Sequence, residues 1–447
     1  MSQKKAVSQK KALNKDTYLH PGLETMGRGD LESLQLERLK ASVAGAMNTE
    51  WYAARFKEAG ISGPDDFNSI DDIRKIPFTV KNDLRDAFPT GMLGVPKDDI
   101  VRVHASSGTT GTPTVIYHTK EDLDTWTSLT ARSLAATGCS RGDVLQNMMT
   151  YGMFTGGLGV HYAAESLGMM VIPSGGGNTR RQFKFMKDFG TTTVHATPSY
   201  MLHLYSKMDE YGVSRKDLSL KRALVGAEPH SEDIRKKIEA LFEIDVYNSY
   251  GLSEMNGPGV AFECSRKEDM HLWEDAFIME IIDPETLEPL PDGETGELVL
   301  TTLTRKGTPI LRYRTRDLTS VNPEPCACGR VHRRIRRIKG RTDDMLIING
   351  VNVFPSQIEE VIMGMKEVGT NYQIHIEKNG ALDKMIVKTE VSDSLFSDNQ
   401  RDLEDLICRI QENLSVSISI KPRVELHQPG VLPVSEGKAV RVVDKRT

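Results

Sequence analysis

Hydrophobic and polar positions change their rhythm several times along the chain. Over residues 32–88 the pattern is helical and charged, with Leu34, Leu36, Leu39 and Val43 forming an apolar stripe. Between 143 and 251, short apolar runs at 144–149, 169–173, 193–196, 223–226 and 246–250 alternate with amphipathic segments such as 232–242. That alternation predicts βαβ units and a largely parallel sheet. From 277 to 321 the signal becomes alternating strands with turns at Pro291-Asp292-Gly293 and Arg305-Lys306-Gly307, which predicts a smaller β-rich subdomain on the α/β body. A third unit opens near Arg341. There Ser356-Gln357-Ile358-Glu359 reads as a capping box, with Ile358, Val361, Ile362 and Met365 following at helical spacing. Strands are expected at 373–376 and 386–391, then a helix with Leu403, Leu406, Ile407, Ile410 and Leu414 on one face. The fold class is α/β: a large N-terminal α/β domain with parallel sheets at 17–340 and a small α+β domain at 341–447. A disordered basic tail, 1–16, carries the tandem SQKKAV and SQKKAL.

Composition narrows what such a chain does. Its 447 residues allow two to four domains at roughly 100–200 residues each. Lysine and arginine (57) against aspartate and glutamate (62) leave a net charge of −5, so bulk nucleic-acid binding is not expected. Five cysteines are an odd count and too few for a disulfide framework, which points to a reducing compartment, the cytoplasm. The longest uncharged stretch, 144–164, is broken by Gln146, Asn147, glycines and His161, and the N-terminal tandem has no apolar core. Neither a membrane span nor a signal or anchor is expected.

The sharpest local feature is Ser106-Ser107-Gly108-Thr109-Thr110-Gly111-Thr112-Pro113-Thr114, directly after the strand-like 101–105. Glycines let several backbone N–H groups turn toward one point and hydroxyls add donors, which makes an anion cradle suited to phosphate. The loop lacks the Gly-Lys-Ser/Thr ending of a Walker A sequence, and a flexible surface loop is the alternative reading. Four polar clusters follow in order: Tyr247-Asn248-Ser249-Tyr250-Gly251-Leu252-Ser253-Glu254, Arg312-Tyr313-Arg314-Thr315-Arg316-Asp317, Gly340-Arg341-Thr342-Asp343-Asp344, and Ser435-Glu436-Gly437-Lys438.

With the loop, these clusters resemble the adenylate-forming superfamily of acyl-CoA synthetases and ligases. Gly226-Ala227-Glu228-Pro229, the run from Asn349-Gly350 to Pro355 and the ending 437–446 make the resemblance closest to the phenylacetate-CoA ligase family, over nearly the whole chain from about residue 20. The resemblance implies ATP- and Mg²⁺-dependent ligation of an aryl or arylacetic acid, phenylacetate first, to coenzyme A. An inert carboxylate becomes a mixed anhydride with AMP, and a thiol then captures it. It further implies that Ser106, Ser107, Gly108, Thr109, Thr110 and Gly111 hold the β/γ-phosphates, and that Glu254 beside Ser253 coordinates Mg²⁺. Asp317 would accept both ribose hydroxyls, with a carboxylate's two acceptors suited to a vicinal diol. Arg341 would join the ribose or phosphate contacts, and Lys438 would bridge the carboxylate and the α-phosphate as a movable point charge. Glu228 and Tyr250 would flank the adenine, and Gly226, Ala227, Pro229, Asn248 and Gly251 would be among the nucleotide-binding residues.

By the same resemblance the small domain alternates between two orientations about a hinge at Asp343, with Asn349 and Gly350 near the CoA thiol. Tyr151, Phe154, Gly156, Pro198 and Ala227 would line the acyl pocket, where aromatic and small residues suit a flat ring. Thr112 stands where many superfamily members carry a lysine, so the phosphate charge must be met elsewhere. A homodimer is implied by relatives' habits, without a heptad or apolar stripe to support it. The rival functions are an adenylating enzyme for a benzoate-type acid, a deazaflavin cofactor or a carrier protein, and a catalytically idle nucleotide-binding protein.

Cys264, His271, Cys326 and Cys328 could close a tetrahedral structural Zn²⁺ site, with His332 able to replace His271. Ordinary packing of buried free cysteines is the alternative. Cys139 and Cys408 are expected in the core.

Overall fold

The computed structural model describes residues 18–105, 113–379, 382–392, 400–433 and 441–446. Four helices open it: α1 (Pro21–Glu24), α2 (Arg28–Ala46), α3 (Glu50–Glu58) and α4 (Lys81–Asp86). An antiparallel hairpin follows, β1 (Ile100–Ala105) and β2 (Val115–Thr119). Next come α5 (Lys120–Ala136), β3 (Val144–Asn147), α6 (Thr155–Ser166), β4 (Met170–Ile172), α7 (Thr179–Asp188), β5 (Thr193–Ala196), α8 (Pro198–Ser206), β6 (Arg222–Val225), α9 (Glu232–Phe242) and β7 (Asp245–Leu252). Strands β8 (Gly257–Glu263), β9 (Met270–Leu272), β10 (Phe277–Ile282), β11 (Gly296–Thr302), β12 (Tyr313–Thr319), β13 (Val321–Asn322), β14 (Arg334–Ile335) and β15 (Gly340–Arg341) complete the large domain.

The βαβ rhythm produces the expected parallel ladder, in which β4, β3, β5, β6 and β7 lie side by side. Their burial fits fully covered strands: Thr193, Val194, His195 and Ala196 of β5 are all buried. The sheet does not stop there. Strands β8, β9, β14 and β13 extend it antiparallel beyond β7, giving nine strands. The expectation of a largely parallel sheet therefore covers only half of it, because β9, β13 and β14 have three residues or fewer and leave no period to read. A separate antiparallel sheet, β10-β11-β12-β15, forms the β-rich subdomain.

The small domain comprises the hairpin β16 (Leu346–Ile348) and β17 (Val351–Val353), α10 (Pro355–Met363), β18 (Val368–Asn379), β19 (Leu382–Val391), α11 (Gln400–Ile418), β20 (Arg423–His427) and β21 (Val442–Asp444). Its sheet runs β20-β19-β18-β21. Two expectations need correction here. Pro355, with its pre-set φ, takes the first helical position, so Phe354 is the N-cap and Gln357, not Glu359, accepts from the cap backbone at 2.9 Å. Ser356 Oγ instead donates to the Lys339 carbonyl. Cys408 is exposed, because it stands two residues from both Leu406 and Ile410 and so turns to the opposite side of α11; Cys139 is buried as expected. No helix among the described residues is long and apolar enough to cross a membrane.

Candidate active site

The carboxyl ends of parallel strands form one edge of the sheet, and in open α/β sheets ligands bind in the crevice beyond that edge. Several of the sequence-predicted residues follow those ends. Tyr151, Phe154 and Gly156 follow β3, Pro198 follows β5, Gly226 to Pro229 follow β6, and Asn248, Tyr250 and Gly251 close β7. Tyr151 is half-buried, its hydroxyl accepting from Asn147 Nδ2 at 3.0 Å and lying 3.1 Å from His161 Nδ1. Pro198 is buried as the first residue of α8, while Phe154 is exposed.

Two glycines are fixed by close approach. A Cβ on Gly251 would stand 1.6 Å from the Gly257 carbonyl oxygen, and one on Gly226 would stand 2.4 Å from Ser249 Oγ. Ala227 takes a positive φ of 68°, and the next residue, Glu228, turns back to cap α8, accepting from Ser199 N at 2.6 Å and Ser199 Oγ at 3.0 Å.

Asp317 is where separate elements meet. It lies on β12 opposite Arg341 of β15 and is 7% exposed. Its Oδ2 accepts from the Tyr250 hydroxyl of β7 at 2.5 Å, and its Oδ1 accepts from Arg341 at 3.2 Å. The rest of the Arg341 guanidinium forks onto Asp343 at 2.8 and 2.9 Å. Burial pushes the Asp317 carboxyl up, Arg341 opposes it, and the Tyr250 phenol is held well above its ordinary value by burial and by Asp317. Strand β12, strand β7 and the segment from Arg341 to Asp343 are thus joined through a single carboxylate.

Glu254 is buried in the turn after β7, next to Ser253, whose Oγ lies 3.2 Å from Thr155 Oγ1. Its backbone carbonyl accepts from Arg305 at 2.7 Å, and its carboxylate lies 3.6 Å from Lys81 Nζ at the start of α4. Lys81 is held there because Thr79 bridges to β12, donating to the Arg312 carbonyl and accepting from Arg314 N at 2.9 Å each. Sequence reasoning missed Lys81 and Arg305, since Lys81 sits in no motif and Arg305 reads only as part of a turn. The segment that follows Arg305 also packs on the hairpin that brackets 106–112 and on the start of α5: Thr308 Oγ1 accepts from Tyr117 N, and Asp122 of α5 accepts from Lys306 N and Gly307 N. Residues Ser106 to Thr112 and Lys438 themselves lie outside the described residues.

Asn349 and Gly350 have φ of 51° and 82°, the pair of positive values that a two-residue hairpin turn requires. Asn349 also pins the hairpin to β19, accepting from Asp383 N at 2.7 Å and donating to its carbonyl at 2.9 Å.

Away from this edge, Cys264, His271, Cys326 and Cys328 are all buried, with their ligand atoms within 4.8 Å of one another. Cys264 Sγ and Cys326 Sγ are 3.8 Å apart, and Cys328 Sγ is 3.3 Å from His271 Nε2. His271 Nδ1 faces the His332 carbonyl at 2.9 Å, a contact that places its proton on Nδ1 and leaves Nε2 toward the thiols. His332 is not part of the cluster: its Nδ1 accepts from Glu274 N and its Nε2 lies 3.7 Å from Asp275.

The chain matches the family model for AMP-binding enzymes over residues 57–303 and that for the AMP-binding enzyme C-terminal domain over 350–446. A phenylacetate-coenzyme A ligase of Thermus thermophilus is 46% identical over 441 residues, covering 95% of this chain and 99% of that one. A crystal structure of 2-hydroxyisobutyryl-CoA ligase in the postadenylation state, in complex with R3-HIB-AMP, superposes with a TM-score of 0.90 at 27% identity, covering 96% of this chain and 93% of that one. The same ligase in its thioesterification state, with 2-HIB-AMP and CoA, covers the same shares at 27% identity but superposes at only 0.71. Fold and site together define an adenylate-forming, AMP-binding enzyme. Within that class the chain belongs to the phenylacetate-coenzyme A ligase family.

Proposed function

We propose that this chain activates phenylacetate, or a close arylacetic acid, with ATP and transfers the acyl group to coenzyme A, releasing AMP and pyrophosphate. The observation that carries the reading is the convergence of Asp317, Tyr250, Arg341 and Asp343 beside the carboxyl edge of the parallel sheet. In this reading Asp317 accepts the two ribose hydroxyls, and Gly226 to Pro229 with Asn248, Tyr250 and Gly251 form the adenine pocket. Tyr151, Phe154, Gly156, Pro198 and Ala227 face the aromatic ring.

Glu254, with the Ser253 and Thr155 hydroxyls nearby, is an oxygen-only donor set of the kind Mg²⁺ takes. The ion, when bound, supplies positive charge to the triphosphate. Ser106 to Gly111 cradle the β/γ-phosphates and Lys438 bridges carboxylate and α-phosphate. Pyrophosphate leaves in place of oxide, and the small domain turns about Asp343 so that Asn349 and Gly350 approach the thiol. The five cysteines, all free, fit the cytoplasm as the site of action.

The cysteine–histidine cluster fits a structural Zn²⁺. Tetrahedral ligation with Zn–S near 2.3 Å sets sulfurs about 3.8 Å apart, and Cys264 and Cys326 stand at that spacing, 3.8 Å. Cys264, His271, Cys326 and Cys328 would hold it, tying the β8–β9 turn to the 326–328 loop and taking no part in catalysis.

The test is a screen of phenylacetate, benzoate and 2-hydroxyisobutyrate with ATP and CoA, reading AMP and thioester together. Equal yields of both, greatest with phenylacetate, are expected. Pyrophosphate exchange without CoA-dependent thioester, or no exchange with any acid, would overturn the assignment.

A further inference from the structure

The small domain touches the large one through a buried acid. Glu359 lies on α10, 7% exposed, and its two oxygens serve different domains. Oε2 accepts from the Tyr372 hydroxyl of β18 at 2.7 Å, inside the small domain; Oε1 accepts from the backbone N–H of Ser231 at 3.2 Å, across the interface. Arg441 lies over the Tyr372 ring at 4.4 Å and hydrogen-bonds the Asn371 side chain and the Tyr372 carbonyl, which holds the acid's support in place.

Ser231 is a telling partner. It is the N-cap of α9, its own hydroxyl accepting from Ile234 N, and it ends the stretch that begins with Gly226 and Glu228. The same stretch is gripped from just before the hinge. Arg337 lies 2.8 Å from His230 Nε2 and donates to Glu232 at 2.9 Å. Close contact continues beside this pair, where a Cβ on Gly364 at the end of α10 would come within 3.7 Å of Asp233 Oδ2. A carboxylate at a helix start complements the positive end of the dipole as well as its unpaired N–H groups.

The domain arrangement holding this contact superposes on the relative's postadenylation state (TM-score 0.90) and far less well on its thioesterification state (0.71). A contact across the interface that exists in one arrangement shifts the balance between arrangements by its free energy.

We propose that Glu359 is a positioning residue for the adenylation step: it seats the small domain on the loop 226–231 and so sets how often the chain occupies the adenylating arrangement. This rests on the reading that the chain forms an acyl-adenylate and then thioesterifies it. The acid must leave Ser231 before the second step, so strengthening or weakening the contact moves the two half-reactions in opposite senses.

The test compares wild type, Glu359→Gln and Tyr372→Phe in two assays on the full-length enzyme. One is ATP–pyrophosphate exchange with phenylacetate; the other is thioester formation from supplied phenylacetyl-adenylate and CoA. Glu359→Gln keeps an amide oxygen for the Ser231 N–H but removes the charge, and is expected to lower the exchange turnover about fivefold, the difference between a hydrogen bond to a charged acceptor and one to a neutral acceptor, with the KM for ATP little changed and the supplied-adenylate reaction equal or faster. Tyr372→Phe, which loosens the acid without touching the large domain, should move the ratio the same way by a smaller factor. Equal loss in both half-reactions, or no change in either, overturns the proposal. Should Glu359→Gln prove unfolded by its thermal melt, Tyr372→Phe decides alone by the same criterion. Failure of wild type to catalyse exchange would instead count against the functional reading.

Discussion

Asp317→Asn separates a nucleotide-binding role for this acid from a purely architectural one. Both oxygens of Asp317 face donors, Tyr250 on one side and Arg341 on the other. An asparagine therefore keeps one acceptor and must turn an NH₂ group toward a donor, with no charge left to offset the mismatch. A hydrogen bond to a charged group contributes about 1.5–3 kcal/mol. Losing one such bond to a ribose hydroxyl should raise the KM for ATP by about 10- to 100-fold, since 1.4 kcal/mol is about tenfold. Asp317→Ala, which removes both acceptors, should cost about the square of that factor. The fold is buffered against the change because Arg341 keeps both contacts with Asp343. The assay is pyrophosphate exchange with ATP and acid varied in turn, beside a thermal melt. A KM for ATP within twofold of wild type in a folded Asp317→Asn variant, or an equal rise in the KM for the acid, would refute the reasoning.

The remaining predictions probe packing, metal and proton linkage. Gly251→Ala cannot be accommodated at 1.6 Å from a backbone oxygen; β7 and β8 must part, and loss of exchange activity with a lowered melting temperature is expected, whereas a wild-type melt would show the close approach to be wrong. Purified protein should carry about one zinc per chain, and Cys328→Ser should lose most of it and melt earlier; equal zinc in the variant would dismiss the site. His195 is buried on β5 and burial holds its pKa down at about 4, against about 6.5 in the unfolded chain. Its contribution to stability is complete above pH 6.5 and drains as pH falls toward 4, at up to about 1.4 kcal/mol per pH unit, because there the unfolded chain binds the extra proton. His195→Gln should therefore flatten the fall in denaturant midpoint between pH 7 and pH 5, and an unchanged slope would exclude the linkage.

Legibility followed the length of the pattern. The helix 232–242 and the strand 193–196 match the bounds read from the pattern, because an amphipathic stripe marks one and its place in the alternation of short strands and helices marks the other. The antiparallel half of the central sheet was not readable, since a three-residue strand such as β9 carries no periodicity and is set only by its neighbours. The site divided on the same line. Asp317, Tyr250, Arg341 and Asp343 stood in ordered motifs, and the fold brings them together. Lys81 reaches Glu254 only because Thr79 pairs with β12, more than 200 positions away. The choice between His271 and His332 also waited for geometry: both follow Cys264, and only the backbone pairing of β14 with β9 turns one ring toward the thiols and the other toward Glu274 and Asp275.

The misread cap at 356–359 shows why a local motif and a domain contact compete for the same residues. Ser-x-x-Glu at a helix start is a sound signal when nothing better is offered to either side chain. Here Pro355 begins the helix one position early and Gln357 satisfies the cap, which frees the carboxylate three residues into the turn. A free acid on that face would be costly to bury without partners. Two are supplied, a phenol from its own sheet and a backbone N–H from the other domain. On the proposed alternation of the small domain, the second partner is lost whenever the domains separate, and the cost of burial falls due then. The same substitution at 359 would then be silent in an isolated helix and visible in the ratio of half-reactions, a difference that no propensity scale applied to 355–363 could register.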